Sequence, residues 1–135
     1  MADYTPISGA GFEPFPATAG AAITGGQLVY VTADKTVSPT SATTQRAVGV
    51  AASDAPSGGR VTVWPLPDVL HESTNNNAGT LVVGDAVIAG ASAGVDWPAG
   101  ADAATRRATA AAAGTFIGIC VKAAATGAKA QWVGV

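Results

Sequence analysis

Asp68, His71 and Glu72 lie within one stretch of five residues, and an imidazole between two carboxylates could act in general acid–base chemistry. Catalysis would also need a nucleophile or a second positioned group in a cleft, and the surrounding sequence LPDVLHESTNNN supplies neither in a recognisable spacing. Because this stretch is polar, we expect His71 to be a surface residue.

The other candidates for chemistry are isolated. Cys120 lies in the apolar run FIGICVK, where a thiol packs as a small hydrophobic group and lacks an activating cation. One His and one Cys cannot make a four-ligand zinc site or a disulfide. No glycine-rich stretch matches GxGxxG or GxxxxGK[ST]. The sequence therefore predicts no catalytic residue, no metal ligand and no cofactor, and we expect a protein that is not an enzyme.

Composition and charge argue against two classes of partner, nucleic acids and membranes. The chain has 135 residues, of which 48% are hydrophobic and 12% charged, and a formal net charge of −2. A general nucleic-acid binder needs a basic face, so we expect no nucleic-acid partner. No apolar run reaches the roughly 18 residues of a membrane span, and the start lacks the pattern of a secretory signal. We therefore expect no membrane partner.

Trp97, Arg106 and Arg107 are the side chains best suited to an exposed contact. Trp97 precedes a proline in a predicted loop, whereas Trp64 and Trp132 lie in strands and are expected in the core. The arginine pair could meet a partner's carboxylate or solvent. An alternative function follows from the same tryptophan: a carbohydrate- or cell-surface-binding module whose face is Trp97 and the 68–79 loop.

Short apolar runs separated by Gly, Pro and Asn predict an all-β fold, either a small β-sandwich or a β-barrel. Only 106–113 favours a helix, and that segment is short. The polar segment 68–79 is predicted to be a loop. The predicted strands are 27–32, 47–52, 60–64, 80–83, 85–89, 115–123 and 129–135.

The sequence also predicts an internal two-fold repeat. Gly118 lies 69 positions after Gly49, and Gly127 lies 69 positions after Gly58, with apolar residues matching between them. Two similar β units, at about 21–67 and 80–135, would be joined by the polar loop. The second unit has a longer internal loop. Both mid-strand glycines suggest a bulge or a close approach by a large neighbour.

Residues 1–20 contain three prolines and three glycines between apolar side chains. Such a segment favours neither a helix nor a central strand, so we predict an extended arm preceding the β domain at 21–135. The arm either binds a partner or covers the core of its own domain. Its candidate anchors are Tyr4, Ile7, Phe12 and Phe15.

The order of these motifs resembles a known family. GQLVYV is followed by VGVAA, SGGRVTV, VGDAV and IGICV, and the chain ends in a Thr-Gly…Val strand. This succession, over about 18–135, is similar to the small Ala/Gly-rich capsid decoration, or head cement, proteins of tailed bacteriophages. The chain departs from them in its longer 90–113 segment and its Phe/Pro-rich start.

The resemblance implies a structural virion protein that binds the outside of the phage head and stabilises contacts between major capsid protein subunits. It also implies a homo-oligomer, with a trimer favoured, located on the capsid exterior after assembly in the host cytoplasm. Residues 1–20 would then lie across a capsid subunit.

Overall fold

The computed structural model describes residues 3–8, 13–98 and 100–135. Short strands dominate this part of the chain, which confirms the all-β prediction. The strands are β1 (Phe15–Ala19), β2 (Leu28–Ala33), β3 (Thr36–Pro39), β4 (Gly49–Ala51), β5 (Arg60–Pro65), β6 (Leu70–Thr74), β7 (Ala86–Ala89), β8 (Val95–Asp96), β9 (Gly118–Lys122) and β10 (Lys129–Gly134), with one helix, α1 (Ala103–Ala113), between β8 and β9.

Strands β1–β5, which we call the first unit, form a closed barrel in the order β1-β3-β2-β4-β5. All neighbours are antiparallel except β1 and β3, which run parallel and pair Ala19 with Val37. The barrel closes where β1 meets β5, with Phe15 opposite Val63. The alternating burial of β5 places Val61 and Val63 inside.

Strands β6–β10, the second unit, form a sheet in the order β6-β10-β9-β7-β8. Read around the barrel from β3, the first unit has the order β3-β2-β4-β5-β1. Read from β8, the second sheet has the order β8-β7-β9-β10-β6, in which each strand comes five places later along the chain. The units differ in that the second sheet is open between β6 and β8. A single parallel bridge between Asn75 and Val95 joins the two ends, at the place of the Ala19–Val37 pair in the first unit.

Corresponding glycines in the two units meet corresponding neighbours. A Cβ at Gly49 would lie 2.5 Å from the carbonyl oxygen of Trp64, and a Cβ at Gly118 would lie 2.6 Å from that of Val133. Trp64 and Val133 are themselves 69 positions apart. The glycines are therefore sites where a neighbouring strand approaches too closely for a side chain, as the sequence suggested.

The first barrel has its own apolar core, and another face of the first unit packs onto the second unit. Eight buried residues fill the first barrel: Ala19, Ile23, Val29, Val37, Ala51, Ala55, Val61 and Val63. A separate cluster joins Leu28, Val50 and Leu66 of the first unit to Trp132 and other buried residues of the second. Burial of this shared apolar surface holds the two units together.

Helix α1 lies in the longer loop of the second unit and starts three residues before the predicted segment. Asp102 caps its first turn, accepting a hydrogen bond from the Thr105 backbone N–H, and Gly114 ends it at φ 72°. Ala110 packs on Ala86, which takes the place in β7 that Leu28 has in β2. The first unit packs on the second through the face that contains Leu28. The helix covers the corresponding face of the second unit, which contains Ala86. No helix of the described residues is long and apolar enough to span a membrane.

Two of the predicted domain segments differ from the structure, and the predicted strand 80–83 forms only an isolated bridge at Leu81. The 68–79 segment is not only a loop, because Leu70–Thr74 forms β6 and pairs with β10 along five residues. Its polar residues concealed a strand: His71 and Ser73 point inward, and Ser73 accepts a hydrogen bond from Trp132 Nε1 at 3.0 Å. Likewise Phe15–Ala19, assigned to the arm, is a strand of the first barrel.

Candidate functional site

Tyr4 connects the N-terminal segment to both units through hydrogen bonds. Its backbone N–H donates to the Ala52 carbonyl at 2.6 Å, and its own carbonyl accepts from Trp64 Nε1 at 2.9 Å. Its hydroxyl lies 2.9 Å from His71 Nδ1 and accepts from the Glu72 backbone N–H at 3.0 Å. This part of the segment therefore covers the chain's own core, one of the two alternatives that the sequence allowed.

The expectation that His71 is a surface residue is wrong, since its side chain is fully buried. The ring packs against Trp132 with 5.0 Å between centroids, and its Nε2 lies 2.8 Å from the Pro65 carbonyl oxygen. Burial lowers the pKa of His71 to about 4, so the imidazole is neutral at pH 7.

The hydrogen bonds of His71 leave it no free nitrogen for acid–base chemistry. The Pro65 carbonyl can only accept, so Nε2 carries the proton, and Nδ1 accepts from the Tyr4 hydroxyl. Burial also raises the pKa of Tyr4 to about 12. Both groups are thus neutral and mutually satisfied, which makes the pair a structural clasp.

Cys120, the other candidate for chemistry, is buried in the core. Burial raises the pKa of the Cys120 thiol, which disfavours the nucleophilic thiolate. Among residues 3–8, 13–98 and 100–135, no three His, Cys, Asp or Glu side chains converge as metal ligands would.

The predicted anchors of the arm are placed differently from one another. Tyr4 is half-buried in its own chain, whereas Ile7 and Phe15 are exposed. Ile7 is held by its backbone N–H, which donates to the Leu70 carbonyl at 2.9 Å. Phe12 lies outside the described residues. Ile7 and Phe15 therefore remain candidate contacts for a partner.

The predicted exposed contacts lie in a cluster held together within the chain. Trp97 and Arg106 are both half-buried, and the Arg106 guanidinium lies 5.3 Å from the Trp97 ring centroid. Arg106 Nε donates to the fully buried Asp85 carboxylate at 2.9 Å. Arg107 is half-buried and donates from Nη1 to the Gly84 carbonyl at 2.9 Å. The carboxylate expected from a partner is thus supplied to Arg106 by its own chain, and one face of Trp97 is covered.

Sequence reasoning missed an exposed apolar surface on the second unit, formed by Val82, Val83 and Val121, which we call the valine patch. The two segments are adjacent, because the Gly84 N–H donates to the Cys120 carbonyl at 2.9 Å and Leu81 pairs with Ala124. The sequence predicted strands at 80–83 and 115–123 and singled out no exposed contact in either. The signal in the sequence was the run LVV, which breaks the alternation of a half-buried strand.

A family comparison bears on these surfaces. Residues 6–66, a little under half of the chain, match the family model described as phage cement protein. Over these residues the match confirms the resemblance to phage capsid decoration proteins. The cement match covers the N-terminal segment from Pro6 and all five strands of the first unit, and it ends before β6.

The whole fold is similar to that of a second virion protein. The N base of head fiber gp8.5 of bacteriophage phi29 matches with a TM-score of 0.60 and 20% identity, over 92% of this chain and 94% of that one. At this identity the likeness concerns the fold, which therefore includes both units. The comparison with curated proteins gives no match.

Proposed function

We propose that this protein is a structural component of a phage head that binds the outer surface of the capsid and stabilises contacts between major capsid protein subunits. The observation that carries the proposal is the cement-family match over residues 6–66. The fold shared with a phi29 head fiber base supports a virion location. Binding to the major capsid protein, assembly in the host cytoplasm and a homo-oligomeric, preferably trimeric, state are parts of the proposal.

The physical character of the chain suits such a role. A net charge of −2 over 135 residues limits repulsion between copies crowded on a lattice. A barrel and a sheet that share an apolar interface give a compact body without disulfides, and the Tyr4–His71 pair fixes the N-terminal segment to it. Ile7 and Phe15 are the proposed capsid contacts of that segment, because their apolar side chains are exposed.

The test is addition of the purified protein to phage heads that lack decoration. We expect co-sedimentation with the heads, saturating at a fixed number of copies, and a higher temperature of head disruption. The double variant Ile7→Asp/Phe15→Asp should bind more weakly, while Val31→Asp, at a still more exposed valine of β2, should not. If the wild-type protein fails to co-sediment with the heads, the proposed function is wrong.

The variants must leave the first barrel intact. A truncation of residues 2–20 would remove β1 and open the barrel, so loss of binding by that truncation would say nothing about contacts. Point substitutions at Ile7 and Phe15 avoid this problem. Circular dichroism and unfolding of each variant in urea would verify that the body is folded.

A further inference from the structure

The valine patch is the counterpart of a surface that is covered in the first unit. Val82, Val83 and Val121 are exposed by 43%, 64% and 44%. Hydrogen bonding places them in register with the first unit: Gly84 N–H donates to Cys120 O as Gly26 N–H donates to Ala51 O. Val82, Val83 and Val121 thus correspond to Thr24, Gly25 and Ala52.

In the first unit this surface carries the extended N-terminal segment. The Tyr4 N–H donates to the Ala52 carbonyl, and Asp3 forms a bridge with Ser53. A Cβ at Gly26 would lie 3.9 Å from the Tyr4 ring, whereas a Cβ at Gly84 would meet no atom of the described residues within 4 Å. In the second unit β10 stays paired with β9 as far as Lys122, the counterpart of Ser53, whereas the surface over Gly84 is uncovered and carries larger apolar side chains.

We infer that the valine patch binds an extended segment of the capsid shell protein that carries an apolar side chain next to a carboxylate. This inference rests on the proposed function and assigns a contact surface to it. The apolar side chain would lie over Gly84 and the three valines, as Tyr4 lies over Gly26. Burial of the valines supplies the hydrophobic contribution.

The carboxylate follows from the charges around the patch. Lys122 stands where the first unit has Ser53, the residue that pairs with Asp3; its backbone pairs with Gln131 of β10, and its side chain is exposed. Arg107 adds a second cation beside Gly84. The segments 81–84 and 119–124 contain no carboxylate, and Asp85 is buried against Arg106. Glu72 lies two strands from Lys122 in the same row and accepts a hydrogen bond from Gln131. The rim is therefore cationic and complements an acidic segment.

A second copy of this chain is the less favourable occupant. Its matching segment, residues 3–8, is already held to its own body by the Ala52, Trp64 and His71 contacts of Tyr4. Moving that segment to a neighbour would break all three and leave His71 buried without its partner. A free segment of the shell protein has no such cost.

The test measures binding of the full chain to undecorated heads. Val83→Asp and Lys122→Glu should each weaken binding by about tenfold or more, because one introduces a charge into the apolar contact and the other opposes the carboxylate. Val31→Asp is the matched control, since this valine is 57% exposed on the first unit. Binding of Val83→Asp with unchanged affinity would overturn the inference, and so would equal losses in Val83→Asp and Val31→Asp.

Crosslinking identifies the occupant directly. Val83→Cys, labelled with a photoactivatable crosslinker while the buried Cys120 stays protected, should attach to a peptide of the shell protein, and Val31→Cys should not. A crosslink between two copies of this chain, or a fall in solution mass caused by Val83→Asp, would assign the patch to self-association and overturn the inference. Failure of the wild-type protein to bind heads would instead refute the proposed function on which it rests.

Discussion

The Tyr4 hydroxyl donates to His71 Nδ1 across 67 positions of sequence, with 2.9 Å between the two atoms. This contact joins the N-terminal segment to the second unit. From the sequence alone, the segment is recognisable only as rich in proline and glycine. The same hydroxyl accepts from the Glu72 N–H, so removing one oxygen atom leaves two polar groups without their partner.

We expect Tyr4→Phe to lower the free energy of unfolding by about 1–3 kcal/mol, because His71 Nδ1 and the Glu72 N–H would each lose their partner. Urea unfolding of the wild type and the variant measures the difference. Tyr30→Phe is the control, since the hydroxyl of this half-buried tyrosine shows no hydrogen bond to another described residue. Equal stabilities of Tyr4→Phe and the wild type would refute the clasp.

Stability should fall as the pH falls from about 6.5 to about 4. The unfolded chain takes up a proton at His71 near the ordinary pKa of 6.5, whereas burial lowers the pKa of folded His71 to about 4. The unfolded state therefore binds more protons in this window, which costs up to about 3 kcal/mol by pH 4. Unfolding free energies across the window test this.

The comparison for this pH effect is His71→Gln, which removes the titrating group and retains a polar side chain. Carboxylates titrate in both proteins, so the difference between the two pH profiles isolates the imidazole. Parallel profiles of wild type and variant would contradict the neutral, buried histidine.

Gly118→Ala should destabilise the second unit by about 1–3 kcal/mol through overpacking, because the added Cβ would press on the Trp132 ring and on the Val133 carbonyl. Trp132 fluorescence should change as the ring moves. Gly58→Ala serves as the contrast: its Cβ meets no described atom within 4 Å, and its φ of 81° alone costs about 1 kcal/mol. An unaltered emission spectrum in Gly118→Ala would argue against the close approach.

Arg106→Ala should cost on the order of 3 kcal/mol, because it leaves the fully buried Asp85 carboxylate without its cation. Far-ultraviolet circular dichroism during urea unfolding follows the effect, since Arg106 lies on α1 and Asp85 precedes β7. Adding Asp85→Asn should recover part of the loss, as expected for two coupled residues. The exposed Arg46→Ala is the control and should be nearly neutral.

Much of the fold was predictable from the repeat of glycines and apolar runs. Gly49 and Gly118 marked equivalent close approaches, and Gly58 and Gly127 marked equivalent turns, at φ 81° and 80°. What the pattern did not show is that each unit begins one strand earlier, with β1 and β6. Pro14 and Pro16 argued against a strand at β1. The run HESTNNN is typical of a loop, and the sequence does not show which of its polar side chains have buried partners, so β6 was missed.

The candidate surfaces depended still more on tertiary structure. Trp97 and Arg106 looked available for a partner, yet Asp85, 21 positions before Arg106, occupies the guanidinium. Val82, Val83 and Val121 lay in segments predicted to be strands, with no sign that they are exposed. Their exposure follows only from the pairing of 81–84 with 120–124.

The sequence by itself determined what recurs along the chain: the all-β class, the repeated glycine positions and the resemblance to capsid decoration proteins. These depend on local conformational preference and on order, both of which can be read in one dimension. Only the tertiary structure decided which polar groups are buried and which apolar ones are exposed. Burial is set by the residues that pack around a side chain, and for His71 those are Tyr4 and Trp132, each more than sixty positions away.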